Sequence, residues 1–148
     1  MSAMNVAIAA ASAADLPIVL DLLQRCKLPQ EGLEHHLATT LVAREAARII
    51  GCAALELYGR AALLRSVAVE PSSRGLGLGA QLTNAALDLA RAHGVQTVYL
   101  LTDTASVFFL RFGFRRVLRT DVDAAVQRSV EFTDACPENA LAMRADLS

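Results

Sequence analysis

The stretch EPSSRGLGLGAQL, residues 70 to 82, sets three glycines, Gly75, Gly77 and Gly79, between two runs of different periodicity. Upstream, AALLRSVAV (61–69) is an apolar run ending in Val67 and Val69 and reads as a strand closed by Pro71. Downstream, Leu78, Leu82, Ala85, Ala86 and Leu89 keep a 3.6-residue period, and His93-Gly94 supplies a helix end. QTVYLLT (96–102) then reads as a short buried strand. Strand, glycine turn, helix, strand is a βαβ unit, so the strands around residues 67 and 99 are predicted to be parallel.

Outward from this unit, TTLVARE (39–45) and RIIGCAALELY (48–58) precede AALLRSVAV with only short turns between, one of them at Gly59. Strands so closely joined form an antiparallel meander. A meander feeding a parallel unit gives a mixed α/β sheet. Val6 to Ala9 is a further strand, and Ser12 or Asp15 caps a helix carrying Leu16, Val19, Leu20 and Leu23. QEGLEHHLA (30–38) reads as a short second helix and TASVFFLRFG (104–113) as a later one; strands follow near Arg115 to Leu118 and at ALAMRAD (140–146). The count is about six or seven strands and about four helices.

A chain of 148 residues with no repeat or linker-like tract suits one domain over 1–148. Fourteen basic residues against fifteen acidic ones give a net charge of -1, so no global field recruits nucleic acid or an anionic membrane, and any anion site must be local. The three cysteines, Cys26, Cys52 and Cys136, are far apart and lack CxxC spacing, which suits reduced thiols in a cytoplasm and gives no metal site. His35 and His36 point about 100° apart on a helix and make a poor metal pair. MNVAIAAASAADLP resembles a secretion signal, but no Lys or Arg precedes it, and it reads as a strand entering a helix. No stretch of about 18 apolar residues runs without a charge, which excludes a membrane-spanning helix.

Glycines directly before a helix let several free N–H groups converge where the helix dipole favours negative charge. The segment is neither a Walker loop, since no Lys-Ser/Thr follows, nor a dinucleotide fingerprint, since Arg74 to Gly79 reads RxxGxG. A tight structural turn and a phosphate cradle are its two readings; Arg74 at the mouth and the strand in front favour the cradle.

RGLGLG closely resembles the Q/R-x-x-G-x-G/A motif of GNAT acyl-CoA N-acyltransferases, and FFLRFGF (108–114) is similar to their aromatic-x-x-x-Gly-Phe motif. The order of elements follows that family over nearly the whole chain. GCAALELYGRAALLRSVAVEP, VYLLTDTA and SVEFTDACPENALAM resemble its arsenic-resistance-associated N-acetyltransferase branch, itself similar to amino-acid acetyltransferases.

This resemblance implies a GNAT fold and acetyl-CoA as co-substrate. The pantetheine arm would lie along the backbone of Val67, Ala68 and Val69. The pyrophosphate would sit on the N–H groups of Arg74, Gly75, Leu76, Gly77, Leu78, Gly79 and Ala80, with Phe109 in the cofactor wall. The N–H near Val67 would polarise the thioester carbonyl. The family often carries a tyrosine four residues before the motif glycine, as acid for the departing thiolate; here that residue is Phe109. A thiol pKa near 8.5 makes thiolate a tolerable leaving group, so transfer should slow rather than stop. Tyr58 and Tyr99 are the nearby hydroxyls, the latter expected to be packed.

The acceptor must lose a proton from an ammonium before attack. Glu56, in the apolar run AALELY, is the leading base, its pKa expected to be raised by burial; an internal pair with an arginine is its other reading. Glu70 and Asp103 are fallbacks. Arg65, expected to share a face with Leu63, Val67 and Val69, would hold an anionic group of the acceptor or pair with Glu56. Arg128 and Ser129 fall where this fold closes over substrate, and Cys136 is the cysteine nearest that place.

The function expected is a cytoplasmic acetyl-CoA-dependent N-acetyltransferase acting on a small amine, an amino acid or an anionic analogue, by direct transfer in a ternary complex. The resemblance leaves open a homodimer paired through exposed strands, since small domains of that family often form one, and the sequence does not decide between it and a monomer. A non-catalytic acyl-CoA sensor and a thiol-based metalloid-binding protein are the competing readings.

Overall fold

A computed structural model describes residues 6–103, 105–135 and 140–147. Its strands are β1 (Val6–Ala10), β2 (Thr40–Glu45), β3 (Arg48–Tyr58), β4 (Ala61–Val69), β5 (Thr97–Thr102), β6 (Arg115–Val117) and β7 (Leu141–Asp146); its helices are α1 (Leu16–Arg25), α2 (Leu78–Ala92) and α3 (Ser106–Leu110). One seven-stranded sheet runs in the order β1-β2-β3-β4-β5-β7-β6. Only β4 and β5 are parallel; every other pair is antiparallel. The mixed α/β sheet read from the sequence is the one observed.

Helix α2 lies on one face of the sheet. Its Leu78, Leu82, Ala86, Leu87 and Ala90 join Ile50, Ala53, Leu55, Ala62 and Leu64 in the larger core. Gly51 permits that closeness, because a Cβ there would stand 2.8 Å from Leu82 Cδ1. The helix ends in a Schellman motif: Gly94 is left-handed (φ +77), Val95 N–H donates to Ala90 O and Gly94 N–H to Arg91 O, both at 3.0 Å.

The opposite face carries two separate apolar clusters. Val19, Leu22 and Leu23 of α1 cover Val42, Cys52, Ala54 and Ala68. Val122 and Val126 from the turns before β7 cover Leu63, Tyr99 and Ala142.

The second helix expected at QEGLEHHLA is instead a broken run of 3₁₀ turns over Leu33–Thr39. Left-handed Gly32 (φ 82) starts it, and His36 leaves helical geometry (φ -125, ψ 23). The Thr40 hydroxyl donates to the His36 carbonyl (2.9 Å) and the Thr39 hydroxyl to Leu55 O on β3, turning the chain into β2 instead of prolonging a helix. α3 is also shorter than expected, ending before left-handed Gly113 (φ 88).

Candidate active site

β4 and β5 pair only through Ala61–Leu63 with Thr97–Tyr99. Beyond Leu63 they separate, and a cleft of about 1000 Å³ opens between them. One cause is local. Ala54 pairs with Arg65 but Cys52 pairs with Ala68, so β4 carries one extra residue, and Ser66 there is left-handed (φ 60).

This bulge corrects one expectation. Period-2 alternation predicts Arg65, Val67 and Val69 on one face. Past the extra residue the parity reverses: Val67 and Val69 pack on the α2 side and Ala68 on the α1 side. Arg65 thus faces away from the valines that border the same cleft.

At one end the cleft reaches the glycine turn. Gly75 (φ 84) and Gly77 (φ 78) are left-handed, and Gly77 is the residue before α2. The first-turn amides of Leu78, Gly79 and Ala80 have no intrahelical acceptor, and all three residues line the cleft. Val67, Ala68, Val69, Arg74, Gly75, Gly77, Leu78, Gly79, Ala80 and Phe109 all line the cleft; Leu76 does not, and is 58% exposed. Arg74 folds back, its Nε donating to Val69 O (3.2 Å) and its Nη2 to Cys26 Sγ (3.4 Å). Phe109 stacks edge-on against Phe108 and Phe114.

At the other end lies a buried polar cluster, set in the seam between the two apolar clusters of the α1 face. Arg65 Nη1 donates to Glu56 Oε2 (2.8 Å), Nη2 to Pro29 O (3.3 Å) and Nε to Ser66 Oγ (3.1 Å). Glu131 Oε2 stands 3.4 Å from Arg65 Nε. Tyr58 donates to Glu56 Oε1, and His36 Nε2 is 3.8 Å from Oε2. Burial pushes the Glu56 carboxyl up, but hydrogen bonds from Tyr58, Arg65 and Ser129 outweigh it and hold the group below the ordinary carboxylate value. The expected elevation is therefore reversed. Tyr58 is pushed up to about 12, first by burial and then by its bond to Glu56. Burial holds the His36 imidazole below its ordinary value, against the pull of Glu56.

Arg65 lines the cleft, whereas Glu56, one strand further in and 1% exposed, does not. Of the two readings of Arg65, the internal pair with Glu56 is the one observed. Ser129 is buried against Glu56; Arg128 is exposed and outside the cleft wall. Glu70 is held by Arg25, whose Nη1 reaches both its oxygens at 2.7 Å, while Asp103 borders the cleft. Tyr99 is packed, with the Arg144 guanidinium over its ring. Cys136 lies outside the described residues.

Glu131 and Cys26 are among the cleft residues that the sequence reading did not place in the site. Glu131 sits in an irregular segment without periodicity; its only signal is a lone carboxylate between Val130 and Phe132. Cys26 borders the cleft beside Val69. Cys52 is buried, its thiol pushed up to about 12 by burial, which makes it a poor thiolate ligand. Among the described residues no group of three or more His, Cys, Asp or Glu could hold a metal ion. No helix among them is long and apolar enough to cross a membrane.

A sequence profile of the acetyltransferase (GNAT) domain matches residues 36–116. An amino-acid acetyltransferase of Mycobacterium tuberculosis is 36% identical over 80 residues, 53% of this chain and 45% of that protein. An uncharacterized N-acetyltransferase of Chlorobaculum tepidum is 33% identical over 88 residues, 59% of this chain and 56% of that protein. The chain thus spans about half the length of the curated relatives it matches. Among solved structures, N-acetylglutamate synthase of Neisseria gonorrhoeae, complexed with coenzyme A and N-acetyl-glutamate, has a TM-score of 0.84 at 20% identity, over 99% of this chain and 36% of that one. A Mycobacterium tuberculosis protein in complex with CoA has a TM-score of 0.82 at 26% identity, over 96% of this chain and 99% of that one.

Proposed function

This chain belongs to the acetyltransferase (GNAT) domain family, and from that premise we propose that it moves the acetyl group of acetyl-CoA to the nitrogen of a small amine. The acceptor class we propose is an amino acid or an anionic analogue of one, in keeping with the amino-acid acetyltransferase among its relatives. The observation that carries the reading is the cleft between β4 and β5, with a glycine turn and helix start at one end and buried ionised groups at the other.

In this reading the pantetheine arm lies along Val67–Val69 and the pyrophosphate on the amides of the turn, where no protein acceptor competes within α2. The Val67 N–H donates to the thioester oxygen as charge builds on it. The amine attacks directly in a ternary complex, after a buried carboxylate has taken its proton. Glu56, one strand behind the cleft wall, is the anion that holds Arg65 in place, at 2.8 Å. Reduced thiols, Cys26 and Cys52 among the described residues, go with the cytoplasmic location we propose.

The test is an acetylation screen with the purified chain and acetyl-CoA, following CoA thiol release and N-acetyl product. Acceptors are ethylamine, glycine, L-glutamine, L-glutamate and amino acids bearing phosphinate or arsonate groups. Turnover with one of these classes is expected. Tight acetyl-CoA binding without turnover across the panel would instead favour a sensor, a reading that Phe109 in the acid position supports. Phe109 lines the cleft and is 7% exposed, so Phe109→Tyr should raise kcat at pH 7 by less than about tenfold, a small fraction of a typical general-acid effect. An unchanged kcat in steady-state assays would remove that residue from the leaving-group step.

A further inference from the structure

We propose that Glu131 binds the acceptor's ammonium and accepts its proton, with Arg65 as the positioning residue and Glu56 as the anion that fixes Arg65. This rests on the acetyltransferase reading of the same cleft and names the group that does its proton transfer.

Three observations carry it. Of the two carboxylates in the buried cluster, Glu131 borders the cleft and Glu56 does not, although both are nearly inaccessible to bulk water (3% and 1% exposed). Arg65 is committed to the protein through Glu56, Pro29 and Ser66, with Glu131 3.4 Å from its Nε. Two carboxylates therefore flank one guanidinium, and of the two it is Glu131 that an ammonium in the cleft can reach. Finally, Glu131 opens a single π turn, Glu131–Ala135, and its own amide donates to Ser129 Oγ (3.2 Å), so its backbone is fixed. Glu131 shares the cleft wall with Ser66 and Val67, at the bulge that frees the β4 backbone.

The step balances as follows. One ammonium proton moves to the Glu131 carboxylate. The freed nitrogen lone pair attacks the thioester carbonyl carbon, a C–N bond forms, the C–S bond breaks, and CoA leaves as thiolate. The thiolate takes the second proton from nitrogen, and Glu131 returns its own to solvent. Among the described residues, the titratable groups near Glu131 include Arg65 on β4, Glu56 and Tyr58 on β3, His36 before β2, Arg119, whose Nη2 donates to Phe132 O (3.5 Å), and on the other cleft walls Lys27, Glu31 and Asp103; Cys26, Arg74 and Arg111 also line the cleft.

The experiment compares wild type, Glu131→Gln and Glu131→Asp in steady-state kinetics from pH 6 to 9 across the acceptor panel, with calorimetric acetyl-CoA binding. For Glu131→Gln, kcat/KM for the amine should fall about 10²–10³-fold near pH 7. The residual rate should climb about tenfold per pH unit toward the amine's own pKa, while acetyl-CoA affinity stays within about twofold. Glu131→Asp should keep the wild-type pH profile with a smaller loss, and it decides the matter if the Gln variant does not fold. A Gln variant within about threefold of wild type with an unchanged profile overturns the assignment, as does an Asp variant with the steep profile expected of Gln. An active wild type beside an equally active Gln variant removes this assignment alone. A wild type that binds acetyl-CoA and acetylates nothing in the panel removes the acetyltransferase reading and this assignment with it.

Discussion

Replacing Arg65 with alanine should lower the unfolding free energy by about 3–5 kcal/mol, because it leaves a buried ion cluster with its cation removed. The side chains of Arg65, Glu56 and Glu131 are 0%, 1% and 4% exposed, so removing the guanidinium leaves two nearly buried carboxylates without the cation between them. For a chain of this length the melting temperature should drop by roughly 6 to 20 °C in calorimetry. The pH dependence should change sign as well. In the wild type the folded-state pKa of Glu56 is depressed. Its contribution is therefore present above the unfolded carboxyl pKa, about 4.3, and is lost as pH falls through the lower folded value. Stability should hold from pH 8 to 5 and fail only in stronger acid. Without Arg65, burial and the neighbouring Glu131 both favour the protonated form, so the folded pKa rises above the unfolded one. That variant should gain stability as pH drops from 7 to 5. A loss under about 1 kcal/mol with the wild-type pH profile would mean that the cluster is solvated. Pairing Arg65→Met with Glu56→Gln should cost less than the two single changes summed, since the Glu56 charge is then no longer stranded.

This pair was legible in the sequence to an instructive degree. A short hairpin turn at Gly59 sets Tyr58 opposite Ala61, hence Glu56 opposite Leu63 and Ala54 opposite Arg65, which puts Glu56 and Arg65 diagonally on one face. Strand pairing near a turn follows from spacing alone. The same arithmetic fails two residues later, because a bulge inserts Ser66 and nothing in LLRSVAV announces a left-handed serine. The glycine turn was readable because glycine is the residue that left-handed positions favour, and two of its three glycines occupy them. Glu131 was not readable, since positions 119 to 135 form short turns whose packing comes from contacts with β4, β5 and β7 and not from a period. The second helix failed for a related reason. QEGLEHHLA has helical spacing, but the Thr40 hydroxyl takes the His36 carbonyl that the next turn needs and the Thr39 hydroxyl is drawn to β3.

Gly77→Val should weaken acetyl-CoA binding by about 100-fold while lowering the melting temperature only a few degrees. A Cβ at Gly77 would meet nothing within 4 Å, so the substitution creates no clash within the protein. Its effect comes from the backbone. At φ +78 an L-residue costs about 1–2 kcal/mol, and a β-branched one is a genuine outlier there. The turn relieves that strain by rotating away, which turns aside the amides of Leu78, Gly79 and Ala80 at the start of α2. Losing converged, charge-assisted hydrogen bonds to a pyrophosphate at about 1.5–3 kcal/mol each accounts for the affinity change. Gly77→Asn should fall between, since asparagine tolerates the left-handed region. Leu76→Ala is the control: it sits between the two left-handed glycines, outside the cleft wall, and should leave binding within about twofold. Isothermal titration with acetyl-CoA at fixed salt measures all three. If Gly77→Val binds within threefold of wild type, the glycines serve only to turn the chain from β4 into α2, and the phosphate must be held elsewhere.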